Sequence, residues 1–231
     1  MIINSKVKLP AYLREIDGWL YDNPKRSKIA DNKLLCNIAS LGNHGKMIDA
    51  LKKEIFPKAK VLQFGGTFGG QIDAVADIVG NEGQYDIVDV SRTQVQRMEE
   101  KYRNTYPCLN FIHQNAIVPI EIKDQLKDKY DIVICHMLLH ELPILTKIKV
   151  VNNALNSMKD SGKVVFIDYH NPDISNPLRY FVRMWNRLFQ PFAEKLWDRE
   201  INSFATKQDK IIWRKTTYFG RMYQKVIATK R

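Results

Sequence analysis

Side chains that can move protons cluster at the ends of two apolar runs in the sequence. The run Asp131–His136 ends in a histidine and is followed by His140 and Glu141. The run Lys163–Tyr169 is followed directly by His170. A histidine with an ordinary pKa of about 6.5 can take up and release a proton at neutral pH, so both segments predict acid–base chemistry. The candidate catalytic residues are therefore His140, Glu141, Tyr169 and His170.

Asp168 adds a carboxylate to the second of these segments and brings a metal site into consideration. Carboxylate oxygens are good ligands for hard divalent cations, and imidazole is tolerated. Asp168 and His170 are thus candidate ligands for a divalent metal ion, which would polarise a carbonyl group of a substrate. Structural roles remain open as well, because His140 and Glu141 are also typical of a helix start and His136 could face the core.

A glycine-rich turn follows the first apolar run, Val61–Phe64. Glycines there let the backbone approach a ligand closely, and the N–H groups of the turn and the next helix attract negative groups such as a carboxylate. Asp89 ends the next run, where an acidic residue binds ribose hydroxyls in dinucleotide folds. The predicted cofactor-binding residues are Gln63, Gly65, Gly66, Thr67, Gly69, Asp89, Val90, Asn115, Ala116 and His136.

The glycine spacing favours S-adenosylmethionine (SAM) over NAD as the cofactor. NAD-binding turns usually follow the pattern G-x-G-x-x-G, whereas here Thr67 lies midway between Gly65 and Gly69. A pair of strands at the end of the sequence also favours SAM. Two structural interpretations stay open, namely a tight strand–helix turn without a ligand and a helix-capping role for Asp89.

The order of the apolar runs predicts an α/β fold with a doubly wound, Rossmann-like sheet of the class I SAM methyltransferase type. Strands and helices alternate from Lys60 onwards, which implies parallel strands with helices on both faces. The predicted strands are Val61–Phe64, Tyr85–Val90, Leu109–His113, Asp131–His136 and Lys163–Tyr169, and the predicted helices are Gly70–Val79, Arg92–Tyr102 and about Leu145–Met158.

Segments on either side of this core complete the predicted architecture of one SAM-binding domain. N-terminal helices at Leu9–Leu20 and about His44–Ile55 form a lid within residues 1–56, ahead of a core at 57–170. A helical insert at 171–209 and closing strands at 210–231 follow, so that the sheet ends in an antiparallel strand. The helical pattern of the insert spans Pro177–Phe204, and the closing strands are Lys210–Thr217 and Met222–Ala228.

Composition limits the classes of function. The formal net charge of +11 fits acidic partners or simple solubility. Three widely spaced cysteines predict reduced thiols in a cytoplasmic protein, and no run is long and apolar enough for a signal peptide or a membrane span. The aromatic and arginine-rich segment Pro177–Asp198 fits either a core-facing helix or a peripheral contact with an anionic membrane. No nucleic-acid-binding module is recognisable, so no nucleic acid partner is expected.

Several segments resemble the RquA family of rhodoquinone-biosynthesis proteins, which are related to SAM-dependent methyltransferases. The similarity runs across nearly the whole chain and includes the segment Leu138–Pro143. Its most specific parts are Val165–His170, with the sequence VFIDYH, and Pro191–Ile201, with the sequence PFAEKLWDREI. The glycine-rich turn and Asp89 are common to the whole superfamily and are less specific.

This resemblance implies that SAM donates an amino group that replaces a ring methoxy group of a ubiquinone-like quinone, with the help of a divalent metal such as manganese. Class I methyltransferases usually carry an acid at the position of Gln63 and a glycine at that of Thr67. A neutral Gln63 could accept a hydrogen bond from the methionine amine of SAM without favouring its ammonium form, or it could merely cap N–H groups of the turn.

Two other functions remain open from the sequence. One is a conventional SAM-dependent methyltransferase that acts on a small phenolic or hydroxyl substrate. The other is a nucleic-acid-binding or non-catalytic module with the SAM-binding fold, which the net charge of +11 would suit.

Overall fold

A computed structural model describes residues 2–3, 7–21, 23–119 and 129–231. Within these residues, eight strands form one sheet. The strands are β1 (Ile2–Ile3), β2 (Lys60–Phe64), β3 (Gln84–Asp89), β4 (Leu109–His113), β5 (Tyr130–His136), β6 (Met158–Tyr169), β7 (Ile211–Tyr218) and β8 (Tyr223–Lys230). Their order across the sheet is β1-β4-β3-β2-β5-β6-β8-β7.

The helices lie between and around these strands. They are α1 (Ala11–Tyr21), α2 (Pro24–Ala30), α3 (Lys33–Ala39), α4 (His44–Lys52), α5 (Gln71–Val79), α6 (Arg92–Tyr102), α7 (Ile144–Ser157), α8 (Arg179–Phe189) and α9 (Lys195–Asp198), with short 3₁₀ turns at Leu139–Glu141, Ile201–Phe204 and Gln208–Lys210. Among the described residues, no helix combines the length and apolar character needed to cross a bilayer.

The strands β1 to β6 pair in parallel, and β8 is antiparallel to both β6 and β7. The carboxyl ends of the parallel strands therefore meet at one edge of the sheet, where ligands bind in open α/β folds. This arrangement confirms the predicted doubly wound sheet with an antiparallel closing strand.

Alternate residues of each strand pack into hydrophobic clusters on opposite faces of the sheet. On β2, Val61 belongs to the cluster that contains residues of α4, α5 and α6, whereas Leu62 belongs to the cluster that contains residues of α7. Such strands are apolar along their whole length because both faces are covered. The core thus fixes the strand ends rigidly in place.

The N-terminal segment differs from the prediction of an entirely helical stretch before residue 56. The short strand β1 pairs with β4, and α2 and α3 lie between the two predicted helices. Asn23 and Pro24 begin α2, because the Asn23 side chain accepts hydrogen bonds from the N–H groups of Lys25 and Arg26, both at 3.1 Å. Proline is favourable at the first position of a helix, so the asparagine–proline pair marks the start of α2.

The insert follows the predicted helical pattern in α8, where Arg183 and Arg187 are exposed to solvent and Arg179 is half-buried. Arg179 donates to the Pro172 carbonyl at 2.5 Å, Arg183 lies 5.6 Å from the centre of the Trp197 ring, and Arg187 pairs with Glu194 at 3.5 Å. The side chains of Trp185, Leu188 and Phe189 in α8, and of Ile16, Trp19 and Leu20 in α1, lie outside the described residues.

Candidate active site

The glycine-rich turn after β2 rests on a buried, uncharged network. Gln63 is fully buried, and its amide nitrogen donates to the Gly65 carbonyl at 2.9 Å. Its carbonyl oxygen accepts from Gln71 at 3.1 Å and from the hydroxyl of Tyr85. The hydroxyl of Thr67 donates to Gln71. Gln63 therefore supports the turn from within, by donating to a turn carbonyl and accepting from Gln71 and Tyr85 rather than by capping N–H groups of the turn.

Asp89 joins the ends of β2 and β3. One carboxylate oxygen accepts from the Gly66 N–H at 2.6 Å, and the other accepts from the Ser91 N–H at 2.7 Å. A Cβ atom added to Gly66 would lie 2.9 Å from the end of the Met98 side chain and 3.1 Å from Asp89, so a larger residue would require these side chains to shift. Burial raises the pKa of Asp89, although these N–H groups and Arg97 act in the opposite direction.

The N-terminal helices contact the same turn through Asp31 and His44. Asp31, directly after α2, accepts from the Gly69 N–H at 2.9 Å and pairs with Arg97 at 2.6 Å. His44 contacts the Gly69 carbonyl at 3.0 Å through Nε2, and Arg97 donates to the Thr67 carbonyl at 3.1 Å. The predicted N-terminal lid is thus attached to the turn itself.

A cleft, here termed the first cleft, lies at the carboxyl ends of the parallel strands. Most of the predicted cofactor residues line it, together with Tyr12 and Leu13 of α1 and Thr146 of α7. The predicted residues found in its wall are Gly65, Gly66, Asp89, Val90, Asn115, Ala116, His136 and Glu141.

A second cleft continues from the first, because both are lined by Gly66, His136, Met137 and Glu141. Thr67, His140 and Tyr169 line the second cleft but not the first, and residues of α3 and α4 also line the second cleft. The glycine-rich turn therefore faces one continuous space together with His140, Glu141 and Tyr169. Gly69 lies under α3 and α4, where an added Cβ atom would clash with His44 at 2.4 Å and Cys36 at 2.8 Å.

His136 lies where the two clefts meet. Its side chain is only 3% exposed, and neither ring nitrogen has a hydrogen-bond partner within the described part of the chain. Burial, with a smaller contribution from His44, lowers the pKa of His136 to about 4, so the ring is neutral at pH 7. A buried polar group without a partner costs about 1–3 kcal/mol, so this ring points to a ligand that satisfies it.

His140 and Asp168 form a buried pair at the ends of β5 and β6. The distance from His140 Nδ1 to Asp168 Oδ1 is 3.0 Å. The Leu139 N–H donates to the other carboxylate oxygen at 2.7 Å, and the Tyr169 N–H donates to Oδ1 at 2.8 Å. Burial would raise the pKa of Asp168, but the attraction of His140 and these hydrogen bonds hold it below its usual value. An ionised Asp168 orients His140 with its Nδ1 proton toward the carboxylate.

Glu141 and Tyr169 flank His140. Glu141 Oε1 lies 3.9 Å from His140 Nε2, and the Tyr169 ring meets the His140 ring edge to face with centroids 4.8 Å apart. Burial, together with the charges of Asp168 and Glu141, raises the pKa of the Tyr169 hydroxyl, so it remains a neutral phenol at pH 7. Three of the four predicted catalytic residues are therefore gathered around one point of the second cleft.

His170 lies apart from this group, with its ring on the closing strands. Its backbone N–H donates to the Met222 carbonyl at 2.8 Å, which continues the pairing of β6 with β8. The ring Nδ1 contacts the carbonyls of Asn171 and Arg221, both at 3.1 Å, and Nε2 lies 3.3 Å from Lys215 Nζ. Burial and the Lys215 charge lower the pKa of His170. The prediction that it joins the acid–base cluster is not supported by these contacts.

The predicted manganese ligands do not form a metal site. Asp168 uses its oxygens for His140 and backbone N–H groups, and His170 faces backbone carbonyls and a lysine ammonium group. Across the residues that the structure describes, no group of three or more His, Cys, Asp or Glu side chains is placed to hold a metal ion. These residues therefore do not fit Mn²⁺, and the mechanism below uses none.

Sequence reasoning missed the residues that reach the site from distant segments. Asp31 and Arg97 bind the turn from α2 and α6, and no local pattern marks them. Sequence reasoning also missed Asn186, which is fully buried on α8. Its position within an apolar stripe of the helix could have marked it as a buried polar residue.

Residues 61–162 match the family model described as a methyltransferase domain. Among curated proteins, the chain is similar to the squalestatin tetraketide synthase clz2 of Cochliobolus lunatus, with 27% identity over 117 residues. That match covers 48% of this chain and only 4% of the synthase. The chain thus corresponds to a small part of that much larger protein.

Solved structures of methyltransferases share the fold. The mitomycin 7-O-methyltransferase MmcR has a TM-score of 0.68 at 14% identity, with 93% of this chain and 60% of that chain covered. An O-methyltransferase from neocarzinostatin biosynthesis, solved with SAM and 2-hydroxy-5-methyl naphthoic acid, has a TM-score of 0.63 at 13% identity, again with 93% and 60% covered. These likenesses confirm the predicted Rossmann-like fold of class I SAM-dependent methyltransferases.

Proposed function

We propose that this chain, a class I SAM-dependent methyltransferase by its fold and by the sequence of residues 61–162, transfers a methyl group from SAM to a hydroxyl group of a small aromatic acceptor. The observation that carries this proposal is the His140–Asp168 pair, which lies in the same continuous space as Gly66 and Asp89. A proton acceptor next to a cofactor cleft is what methylation of a hydroxyl group needs.

The first cleft supports binding of SAM in one orientation. Asp89 accepts hydrogen bonds from the ribose hydroxyls, as acidic residues at this position do in related folds. The segment Asn115–Ala116 borders the adenine, and the turn at Gly65–Gly66 borders the methionine part. His136 meets the cofactor near its sulfonium, where a neutral ring adds no positive charge.

His140 acts as the general base in this proposal. It takes the proton of the acceptor hydroxyl while Asp168 stabilises the imidazolium that forms. The acceptor oxygen then forms a bond to the methyl carbon of SAM, the bond from carbon to sulfur breaks, and its electron pair stays on sulfur. The products are a methyl ether and S-adenosylhomocysteine, with the proton on His140.

The variants His140→Gln and His170→Gln test this role. We expect His140→Gln to lower kcat by about 10²–10⁴, the usual contribution of general acid–base catalysis, and to leave the SAM dissociation constant within about twofold. His170→Gln changes a histidine that contacts the closing strands, so its kcat should stay close to that of the unmodified protein. Mass analysis of S-adenosylhomocysteine formed with a panel of small phenols measures both. A loss confined to His170→Gln contradicts the assignment.

Amino transfer from SAM to a ubiquinone-like quinone is the second candidate. The resemblance to the RquA family suggests it, and the neutral Gln63 in place of an acid at the end of β2 favours it. A short-chain ubiquinone incubated with SAM and the enzyme separates the two candidates. Methyl transfer releases S-adenosylhomocysteine. Amino transfer forms a bond from the SAM nitrogen to the ring carbon, expels the methoxy group as methanol and then breaks the bond from nitrogen to the methionine Cα by elimination, which leaves an aminoquinone and a deaminated cofactor. The masses of the products therefore distinguish the two candidates. If Gln63→Glu transfers the amino group at an unchanged rate at neutral pH, a neutral side chain is not needed at this position and the proposed role of Gln63 is wrong.

A peripheral membrane contact also belongs to this proposal. Tyr180, Phe181 and Met184 on α8 are exposed at 77%, 43% and 55%, and the chain carries a formal net charge of +11. Exposed aromatic side chains together with a positive net charge are typical of proteins that bind anionic bilayers. Co-sedimentation with vesicles that contain phosphatidylglycerol should exceed that with phosphatidylcholine vesicles and should fall in high salt. Equal binding to both vesicles contradicts the contact.

A further inference from the structure

A third cavity, here termed the apolar cavity, has a volume of about 610 Å³ and lies between α3, α8 and the closing strands. Hydrophobic and aromatic side chains make up most of its wall. The residues that line it are Ile38, Ala39, Leu41, Tyr169, Phe181, Val182, Asn186, Met222 and Tyr223. A largely apolar concavity with one polar group is the common form of a small-molecule site.

Asn186 is the polar group of this cavity. Its side chain is fully buried, and neither its amide nitrogen nor its oxygen has a hydrogen-bond partner in the part of the chain that the structure describes. Burying an amide without partners is unfavourable, so its presence at a cavity wall needs a compensating ligand. The amide can donate to a ligand carbonyl group, and it can both donate to and accept from a ligand hydroxyl group.

Tyr169 and Ala39 connect the apolar cavity to the second cleft, because both line the two spaces. The Tyr169 ring stacks on the Tyr223 ring at 5.4 Å with an interplanar angle of 26°. A flat ring bound in the apolar cavity can therefore pack against an aromatic pair at one end. At that end it lies next to the His140–Tyr169 contact.

We propose that the apolar cavity binds the body of the acceptor, a fused aromatic ring system with a second hydroxyl or carbonyl group that pairs with Asn186. This inference rests on the proposed function, since it assigns the cavity to the molecule that is methylated. The hydroxyl that reacts lies toward Tyr169, and the group that pairs with Asn186 lies at the far end. Asn186 is then a specificity-determining residue rather than a catalytic one.

Calorimetry with 2-naphthol and naphthalene tests the cavity without SAM and without turnover. Both probes should bind, and 2-naphthol should bind more tightly through its hydroxyl. Asn186→Leu keeps a similar side-chain shape without the amide. It should therefore weaken the binding of 2-naphthol by about tenfold and leave the affinity for naphthalene unchanged. Val182→Trp fills the cavity and should weaken both probes. Equal 2-naphthol affinity in all three proteins overturns the proposal.

Two further measurements distinguish a cavity that binds no ligand from a misfolded variant and from an incorrect proposed function. Asn186→Leu should raise the thermal midpoint of the protein without ligand, because an unpaired buried amide is removed. A lowered midpoint would show that Asn186 is paired within the fold and would overturn the inference. The SAM dissociation constant should be unchanged in both variants, whereas absence of SAM binding in the unmodified protein would instead contradict the proposed function.

Discussion

Two buried carboxylates at the edge of the sheet are stabilised in different ways. Asp168 has His140 as a close hydrogen-bond partner, and its pKa lies below the usual range. Asp89 accepts mainly from backbone N–H groups, and burial raises its pKa. Asp168 is therefore suited to hold an imidazolium, whereas Asp89 is suited to neutral donors such as sugar hydroxyls. The proposed division between base and cofactor binding follows from this difference.

Removing the carboxylate of Asp89 should weaken SAM binding. In Asp89→Ala the Gly66 N–H loses its hydrogen-bond acceptor, and the ribose hydroxyls lose a carboxylate acceptor. We therefore expect the dissociation constant of SAM to rise by about 10- to 100-fold. Isothermal titration calorimetry measures it. Asp77→Ala, an exposed carboxylate on α5, is the control and should bind SAM normally. An unchanged affinity in Asp89→Ala would place SAM elsewhere.

His136 should make the protein less stable in mild acid. Its pKa is about 4 in the fold against about 6.5 when unfolded, so between these values the unfolded chain binds more protons and stability falls as the pH is lowered. The full loss is about 3 kcal/mol. His136→Leu should flatten the dependence of the free energy of unfolding on pH from 6.5 to 4, measured by urea titration. Parallel curves for the two proteins would refute the buried, unpaired ring.

Contacts between secondary-structure elements join the N-terminal lid to the glycine-rich turn. The side chains of Asp31 and Arg97 are each 9% exposed, so their pair is largely removed from water. Asp31 also holds the Gly69 N–H, and His44 holds the Gly69 carbonyl. The lid therefore sets the conformation of the turn that borders the cofactor.

Asp31→Ala should both destabilise the protein and weaken SAM binding. Arg97 would be left without its partner in a buried position, which costs about 3 kcal/mol or more. Hydrogen exchange should rise in α2, α3 and the turn at Gly65–Gly70, while α7 stays protected. Asp49→Ala, an exposed carboxylate on α4, serves as the control. Unaltered exchange in the turn would mean that the lid does not support it.

The sequence predicted the elements that carry strong periodicity. The bounds of α6 and β4 match the predictions, and the His140–Asp168 pair follows from the meeting of strand ends. The two-residue strand β1 and the seven-residue helices α2 and α3 are too short to show a period. Contacts such as Asp31 with Arg97 depend on packing between distant segments, which a single sequence does not encode visibly.

The whole molecule should gain stability from its cofactor. As the proposed ligand of the first cleft, SAM should bind the folded chain and not the unfolded one, so at 100 times its dissociation constant it should add about 2.7 kcal/mol to the free energy of unfolding. For a chain of 231 residues we expect the thermal midpoint to rise by about 5–10 °C in differential scanning calorimetry. Adenosine diphosphate is the control ligand and should give a much smaller shift. No shift with saturating SAM would contradict the assigned cleft.

Helix α3 has a part in both halves of the proposed reaction. Cys36 borders the turn at Gly69, Ala39 lines the second cleft and the apolar cavity, and Ile38 lines the cavity alone. A ligand that repositions this helix on one side must alter the binding constant on the other side, and thermodynamic linkage makes that influence mutual. The sulfonium donor should accordingly change the dissociation constant of the ring-bearing partner, and the partner should change that of the donor by the same factor.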